Sequence, residues 1–415
     1  MNKIYACAAE IEKREGWKFD LLICTGDYQA VRNSGDLPYM HVPAKYRSLQ
    51  SFHRYYSGEI TAPILTLVIG GNHEASGYMQ ELPYGGWIAP RIYYLGYASV
   101  VSFAGLRIAG LSGIYNGLHY DMGHFERPPF TQPGSIVSTY HVRSIDVFRL
   151  KQLEKKEDKK NSSIDIMITH DWPSGITEFG DVNALLEVKP HFAEDIKKCS
   201  LGNPATMSLL HQLRPRYWLS SHLHCSFPAL VPHEVDVDKM DTHFTHFLAL
   251  DKPIPGRHFM QVLNFDVECE TCDLVLKYDP TWLTILKLTD SLTNATEKKN
   301  YMPSAYPPSK DRWDFRPSAE EISETIKIFG CDMVIPENFV RTAPPQQVFL
   351  KQSVLVIYFN PQTIEFCKRL GIQDLNGILC SQLQEEVGTA YYVFFELALK
   401  NEFLNNSFQI VVSET

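Results

Sequence analysis

The stretch ILTLVIGGNHE, residues 64–74, decides how this chain is read. An apolar run of strand length (64–69) enters two glycines, Gly70 and Gly71. It then delivers an amide, an imidazole and a carboxylate in a row: Asn72, His73 and Glu74. A buried strand that ends in three polar groups is a motif to be explained by chemistry rather than by packing, because buried polar groups need partners.

Working outward, the same pattern recurs. Residues 19–24 form a short apolar strand ending in Thr25-Gly26-Asp27, and residues 164–169 form another ending in His170-Asp171. Tyr217-Trp218-Leu219-Ser220 leads to Ser221-His222-Leu223-His224. Between these strands the spacing predicts helices over 2–16, 44–56, 144–153 and 205–213, and β-like runs over 92–95, 98–103 and 106–111. Strands alternating with helices predict an α/β architecture, in which ligands bind at the C-terminal ends of strands. Residues 112–143 form a long polar stretch rich in Pro, Gly and His, and loops of that length are often functional. Beyond Pro255 the character changes to a strand-rich piece, a Pro-rich connector over 300–317 and a helical C-terminal part. The expected division is a domain over 1–250 and a second over 251–415.

Composition sets limits. The chain has 415 residues, 44% hydrophobic and 12% aromatic, ample for a packed core. No apolar run reaches the roughly 18 residues of a membrane span. The N-terminal MNKIYACAAEIEKREG carries charges where a signal peptide needs an apolar block. Nine cysteines without framework spacing imply a reducing compartment, cytosol or nucleus, and no disulfides. Cys269 and Cys272 form a C-x-x-C with no second pair, which reads as structural thiols before it reads as a zinc site. The run KKEDKK at 155–160 reads as a solvated turn before a nuclear signal. A net charge of −9 argues against broad nonspecific nucleic-acid binding. It still admits an enzyme that holds a short RNA and supplies positive charge as metal ions.

Four strand ends thus carry Asp27, Asn72-His73, His170 and His222/His224, and mixed nitrogen and oxygen donors suit Zn, Mn or Fe. Singly each is weak: a Gly-Asp turn is commonplace, and a lone histidine is usually a hydrogen-bonded structural residue. On an extended segment His222 and His224 point to one side. Paired divalent ions can share a bridging carboxylate and act on phosphate esters, and Asp27 is the carboxylate in place for that. His73 beside Asn72 would point away from it on an extended chain, which suits a general acid. Glu74 would support an imidazole or the loop backbone, and Asp171 is a similar support for His170.

Longer stretches carry a resemblance. CTGDYQAVRN (24–33), VPAKYR (42–47), YYSGE (55–59), IGGNHEASG (69–77), QELPYGGWIAP (80–90), IYYLG (92–96), LSGIY (111–115), GHFERPP (123–129), TYHVR (139–143), THDWPSGI (169–176), YWLSSHLH (217–224), FLALDK (247–252) and NPQTIEFCKRLGI (360–372) resemble the RNA lariat debranching enzymes, within the calcineurin-like metallophosphoesterase superfamily. The resemblance implies a β-sandwich flanked by helices, with a smaller C-terminal domain docked on it. It implies hydrolysis of the 2′-5′ phosphodiester at the branch point of intron lariat RNA, in the nucleus, with two divalent ions (Fe²⁺, Zn²⁺ or Mn²⁺). It carries the ligand roles to Asp27, Asn72, His170, His222 and His224 and the general acid to His73. Residues 112–143 match the family's lariat-recognition loop, where Tyr115, His124, Phe125, Tyr140 and Arg143 would stack on bases and contact phosphates. The family pattern begins with a strand and Cys-x-His-Gly, which do not occur here ahead of Asp27; the expectation is a chain short of that strand and of one imidazole, holding one ion well. Two other readings stay open: a generic metallophosphoesterase, and a lariat-binding form without turnover.

Overall fold

The computed structural model describes residues 1–127, 130, 134–154, 164–233, 243–265, 274–304, 312–346 and 358–387. KKEDKK and the pair Cys269 and Cys272 lie outside the described residues, as do parts of the 112–143 stretch and of the 300–317 connector.

Eleven strands are described: β1 (Leu21–Cys24), β2 (Leu65–Val68), β3 (Gly86–Ala89), β4 (Ile92–Tyr94), β5 (Ala98–Phe103), β6 (Leu106–Leu111), β7 (Ile166–Thr169), β8 (Tyr217–Ser220), β9 (Phe227–Pro232), β10 (Phe244–Ala249) and β11 (Leu276–Tyr278). They form a four-stranded sheet in the order β1-β2-β4-β3 and a seven-stranded sheet in the order β11-β5-β6-β7-β8-β10-β9. β1, β2 and β4 run parallel, as do β6, β7, β8 and β10.

Alternation along these strands builds the layers. Leu67 and Ile69 of the opening stretch meet Val101, Ile108, Ile166, Ile168 and Leu219 in a core between the two sheets. Their neighbour Val68 turns the other way, into a core shared with Tyr5 and Ala8 of the helix Asn2–Glu15. Met167 and Trp218 turn outward from the large sheet onto the helices Ser144–Lys151 and Pro204–Leu213, through Val147, Leu150, Leu209 and Leu210. Side chains of period two can cover both faces only when each face is buried, as it is here. The result is the helix-flanked sandwich that the resemblance implies.

The C-terminal region joins this core. β11 adds to the edge of the large sheet by pairing with β5. Trp282, Leu283, Ile285 and Leu286 of the helix Pro280–Leu288 join the same buried core, as does Leu370 from the helix Pro361–Leu370.

One predicted helix is broken. Over 44–56 the chain makes a single 3₁₀ turn, Ala44–Tyr46, and then the short helix Phe52–Tyr56. Gln50 lies between them at φ 50°, a left-handed conformation that a continuous helix does not admit.

Candidate active site

The C-terminal ends of β1, β2, β7 and β8 meet along one rim of the sandwich, two from each sheet. The tie is a carbonyl. Thr25, just past β1, accepts hydrogen bonds from His170 Nδ1 at 2.8 Å and from Ser221 Oγ at 2.7 Å. With Nδ1 committed as donor, His170 Nε2 faces inward, the usual way a neighbouring acceptor orients an imidazole. It stands 3.2 Å from Asn72 Oδ1 and 3.4 Å from Asp27 Oδ1.

Two glycines make this convergence possible. A Cβ on Gly26, at φ 103°, would lie 2.3 Å from His170 Nδ1. One on Gly71 would lie 2.3 Å from Asp27 Oδ1 and 2.8 Å from His170 Cε1. Glu74 is fully buried and accepts from the main-chain N–H groups of Tyr28 (2.7 Å), Gln29 (2.8 Å) and Gly71 (3.2 Å). It therefore holds the backbone of the Asp27 turn and touches no imidazole. That turn is strained, with Asp27 at φ 53° and Gln29 at φ 55°. Such conformations persist where surrounding contacts over-determine them.

Two local expectations are corrected. His222 and His224 do not share a side by extension. Both are left-handed, at φ 59° and 55°, with Leu223 N–H bonded to Ser221 O across a tight turn. His222 still comes to the site, its ring 5.0 Å from that of His170. Nor do Asn72 and His73 point apart. The segment is not extended, and Asn72 Nδ2 lies 3.2 Å from His73 Nε2. His73 N–H donates to Asp27 Oδ1 at 2.9 Å, and its Nδ1 reaches the His41 carbonyl at 3.2 Å.

The electrostatics follow the geometry. Burial works against a charged His170, but the Asp27 carboxylate beside it raises its pKa to about 9. Burial opposes the charged form of Asp27 too; His170 and the His73 N–H outweigh it and hold the carboxyl well below its usual range. His222 is lowered to about 4 by burial and by His170, and His224 to about 4 by burial and by Lys252. A carboxylate that pulls a cation onto a buried imidazole defines a place where positive charge is wanted.

The donor set fits a metal ion. Ligands about 2.0–2.2 Å from one ion stand roughly 3–3.5 Å apart, the spacing of Asp27 Oδ1 and of Asn72 Oδ1 from His170 Nε2. Among the described residues no three His, Cys, Asp or Glu side chains converge so tightly. The set reaches three when the Asn72 amide is counted.

Described residues of the 112–143 stretch lie against this rim, Tyr115 at Asp171 and Tyr140 at His41. Asp171 anchors it, accepting from Tyr115 N at 3.2 Å while capping Trp172 N at 2.9 Å. Tyr115, Phe125 and Tyr140 are partly exposed. Arg143 and His124 are not free for phosphates, contrary to expectation. Arg143 is 0% exposed, ion-paired with Glu126 and bonded to the carbonyls of Gly123, His141 and Ser138. His124 is buried, stacked on Tyr97 at 3.9 Å and bonded to Asp146 at 2.8 Å. A charge that must be buried in a packed loop takes the loop's own acceptors as partners, so Arg143 holds the loop's shape, while His124 ties the loop to Asp146 of the helix Ser144–Lys151.

Sequence reading missed Thr25, Ser221 and His41. The first and third act through main-chain carbonyls, which leave no mark on residue type.

Known proteins bear on the whole chain. Residues 2–226 match the calcineurin-like phosphoesterase model, and residues 242–375 match that of the lariat debranching enzyme C-terminal domain. The chain is 51% identical to the lariat debranching enzyme of Caenorhabditis elegans over 401 residues, 95% of this chain and 79% of the relative. It belongs to the lariat debranching enzyme family. The identity is 49% to the Caenorhabditis briggsae enzyme, across 100% of this chain and 82% of the relative. It is 46% to the human enzyme, across 93% and 69%. The family makes this chain a hydrolase of phosphodiester bonds. Among the described residues no helix is long and apolar enough to cross a membrane.

Proposed function

We propose that this chain hydrolyses the 2′-5′ phosphodiester at the branch point of excised intron lariats, a step of mRNA processing and intron turnover that would place it in the nucleus. The observation that carries the reading is the convergence of Asp27, Asn72 and His170 from strand ends of both sheets, beneath a recognition loop, in a family of debranching enzymes.

In this reading Asp27, Asn72, His170, His222 and His224 hold divalent ions. The donors suit Mn²⁺, Fe²⁺ or Zn²⁺. Bound ions would neutralise charge on the phosphate and acidify the attacking water. His170 is aimed by the Thr25 carbonyl, and Glu74 keeps the Asp27 turn in place. His73 gives its proton to the departing 2′ oxygen. Tyr115, Phe125 and Tyr140 contact bases that a branched, single-stranded ligand leaves unstacked. Asp171 holds the start of the loop through Tyr115 N–H. We take residues 1–250 as the unit that carries this site and 251–415 as the unit that braces it.

The test compares a synthetic 2′-5′ branched RNA with its linear 3′-5′ counterpart, with and without EDTA. Expected are release of the branch as linear RNA, little cleavage of the linear control, and loss of turnover with chelator that Mn²⁺ restores. Equal cleavage of both RNAs would make the chain a generic phosphodiesterase. Tight binding of branched RNA without turnover in the presence of Mn²⁺, Fe²⁺ or Zn²⁺ would make it a binding form.

A further inference from the structure

Tyr140, His41 and His73 are far apart in sequence, yet the fold lines them up at the mouth of the site. Tyr140 Oη is 2.6 Å from His41 Nδ1, and the two rings stack at 5.8 Å with 24° between planes. The His41 carbonyl in turn takes the His73 Nδ1 contact at 3.2 Å. The other ring nitrogen of His73, Nε2, lies 3.2 Å from Asn72 Nδ2.

The two ends of this chain of contacts differ in rigidity. Tyr140 sits on well-tied backbone. Its carbonyl accepts from Ile114 N at 3.2 Å, and Val142 N donates to Ile114 O at 2.9 Å. The approach is close enough that a Cβ on Gly113 would lie 2.0 Å from the Tyr140 carbonyl. The Tyr140 ring also abuts His141 edge-on at 5.0 Å. His41, by contrast, is exposed, on a turn with no regular secondary structure. A carbonyl that sets the tautomer and rotation of an imidazole is useful only if that carbonyl stays still. Exposed turns are mobile unless something pins them.

We propose that Tyr140 is a positioning residue for proton delivery: by gripping the His41 ring it steadies the His41 carbonyl, and with it the His73 imidazole. This rests on the debranching reading and deepens it. The recognition loop then does two things at once, covering the branched RNA and setting the acid that protonates its leaving oxygen. A loop displaced from the rim would lose both. The grip need not touch RNA at all, which separates this role from base stacking.

The test is Tyr140→Phe, which keeps the ring and removes the hydroxyl. Two substrates are compared: a 2′-5′ branched RNA, whose alkoxide leaving group needs a proton, and bis(p-nitrophenyl) phosphate, whose leaving group does not. Misplacing a reacting group by about 1 Å costs up to roughly 100-fold, and a loosened one less. The expected loss of kcat on branched RNA is therefore about tenfold greater than the loss on the nitrophenyl diester, with KM for RNA within about twofold. His41→Ala, which also cuts the grip, should show the same selective loss, and the double variant should be no worse than His41→Ala. A rise in KM with kcat preserved would overturn the proposal, since the Tyr140 hydroxyl would then serve RNA binding and not the grip on His41. Equal losses on both substrates would overturn it too, by making Tyr140 a support of the whole site. Should the unmodified chain fail on branched RNA while cleaving the nitrophenyl diester, debranching itself would fall and this inference with it.

Discussion

Gly70 and Gly71 are adjacent, and both belong to the stretch that led to the site, yet alanine should be tolerated at the first and damaging at the second. A Cβ on Gly71 would sit 2.3 Å from Asp27 Oδ1, 2.5 Å from Asp27 N and 2.8 Å from His170 Cε1. Ordinary contact begins at 3.4 Å, so Asp27 must retreat by about 1 Å. It cannot retreat cheaply, because Glu74 holds its turn by the N–H groups of Tyr28 and Gln29. A displacement of about 1 Å in catalytic machinery costs on the order of 10²-fold in rate. A Cβ on Gly70 meets nothing nearer than 3.5 Å, at Ser112 Cβ and Tyr94 Oη. It leaves the Gly70 N–H bond to Ser112 Oγ intact. Gly71→Ala should therefore lose about 100-fold in kcat/KM on branched RNA and on a nitrophenyl diester alike, with lower metal content by elemental analysis. Gly70→Ala should stay within a few-fold of the unmodified chain on both. Similar losses at the two positions, or full activity in Gly71→Ala, would refute the reasoning that this glycine exists to let Asp27 and His170 approach.

Further outcomes follow from the same geometry. His73→Ala keeps the backbone N–H that serves Asp27, so metal content should hold while turnover of branched RNA falls by roughly 10²–10⁴; metal loss matching that of Asp27→Ala would make His73 a ligand. Arg143→Met should leave Glu126 buried without its partner and cost about 3–5 kcal/mol, read as a lower denaturation midpoint, whereas a mere change in salt dependence of RNA binding would return Arg143 to a phosphate role. His233 is buried, bonded to Thr245 Oγ1 at 2.7 Å, and lowered to about 4 by burial and by His243. The unfolded chain takes up that proton below about 6.5, so the His233 contribution to stability is lost as pH falls from 6.5 towards 4. His233→Gln should flatten the fall in melting temperature across that window, and an unchanged slope would show that other groups set it.

The sequence by itself determined the strands that end in polar groups and the residue types gathered there, though not β3, β9 or β10. Apolar runs of strand length stopped by Gly-Asp, Gly-Gly-Asn-His and Ser-Ser-His announce themselves, because burial and turn chemistry act locally. The broken helix over 44–56 was not legible, since a left-handed Gln50 carries no residue signature. Tertiary structure alone decided how the groups are used. It made Glu74 a clamp on backbone N–H groups and set Asn72 against His73. It also brought His222 to His170 through a left-handed turn instead of an extended one. Arg143 and His124 look like RNA contacts in one dimension because they are polar and basic. Packing turned both inward: Arg143 found the loop's own carbonyls and the Glu126 carboxylate, and His124 found Asp146 on the following helix. Thr25 and His41 contribute through main-chain oxygens that every residue possesses, so only the path of the chain could reveal them.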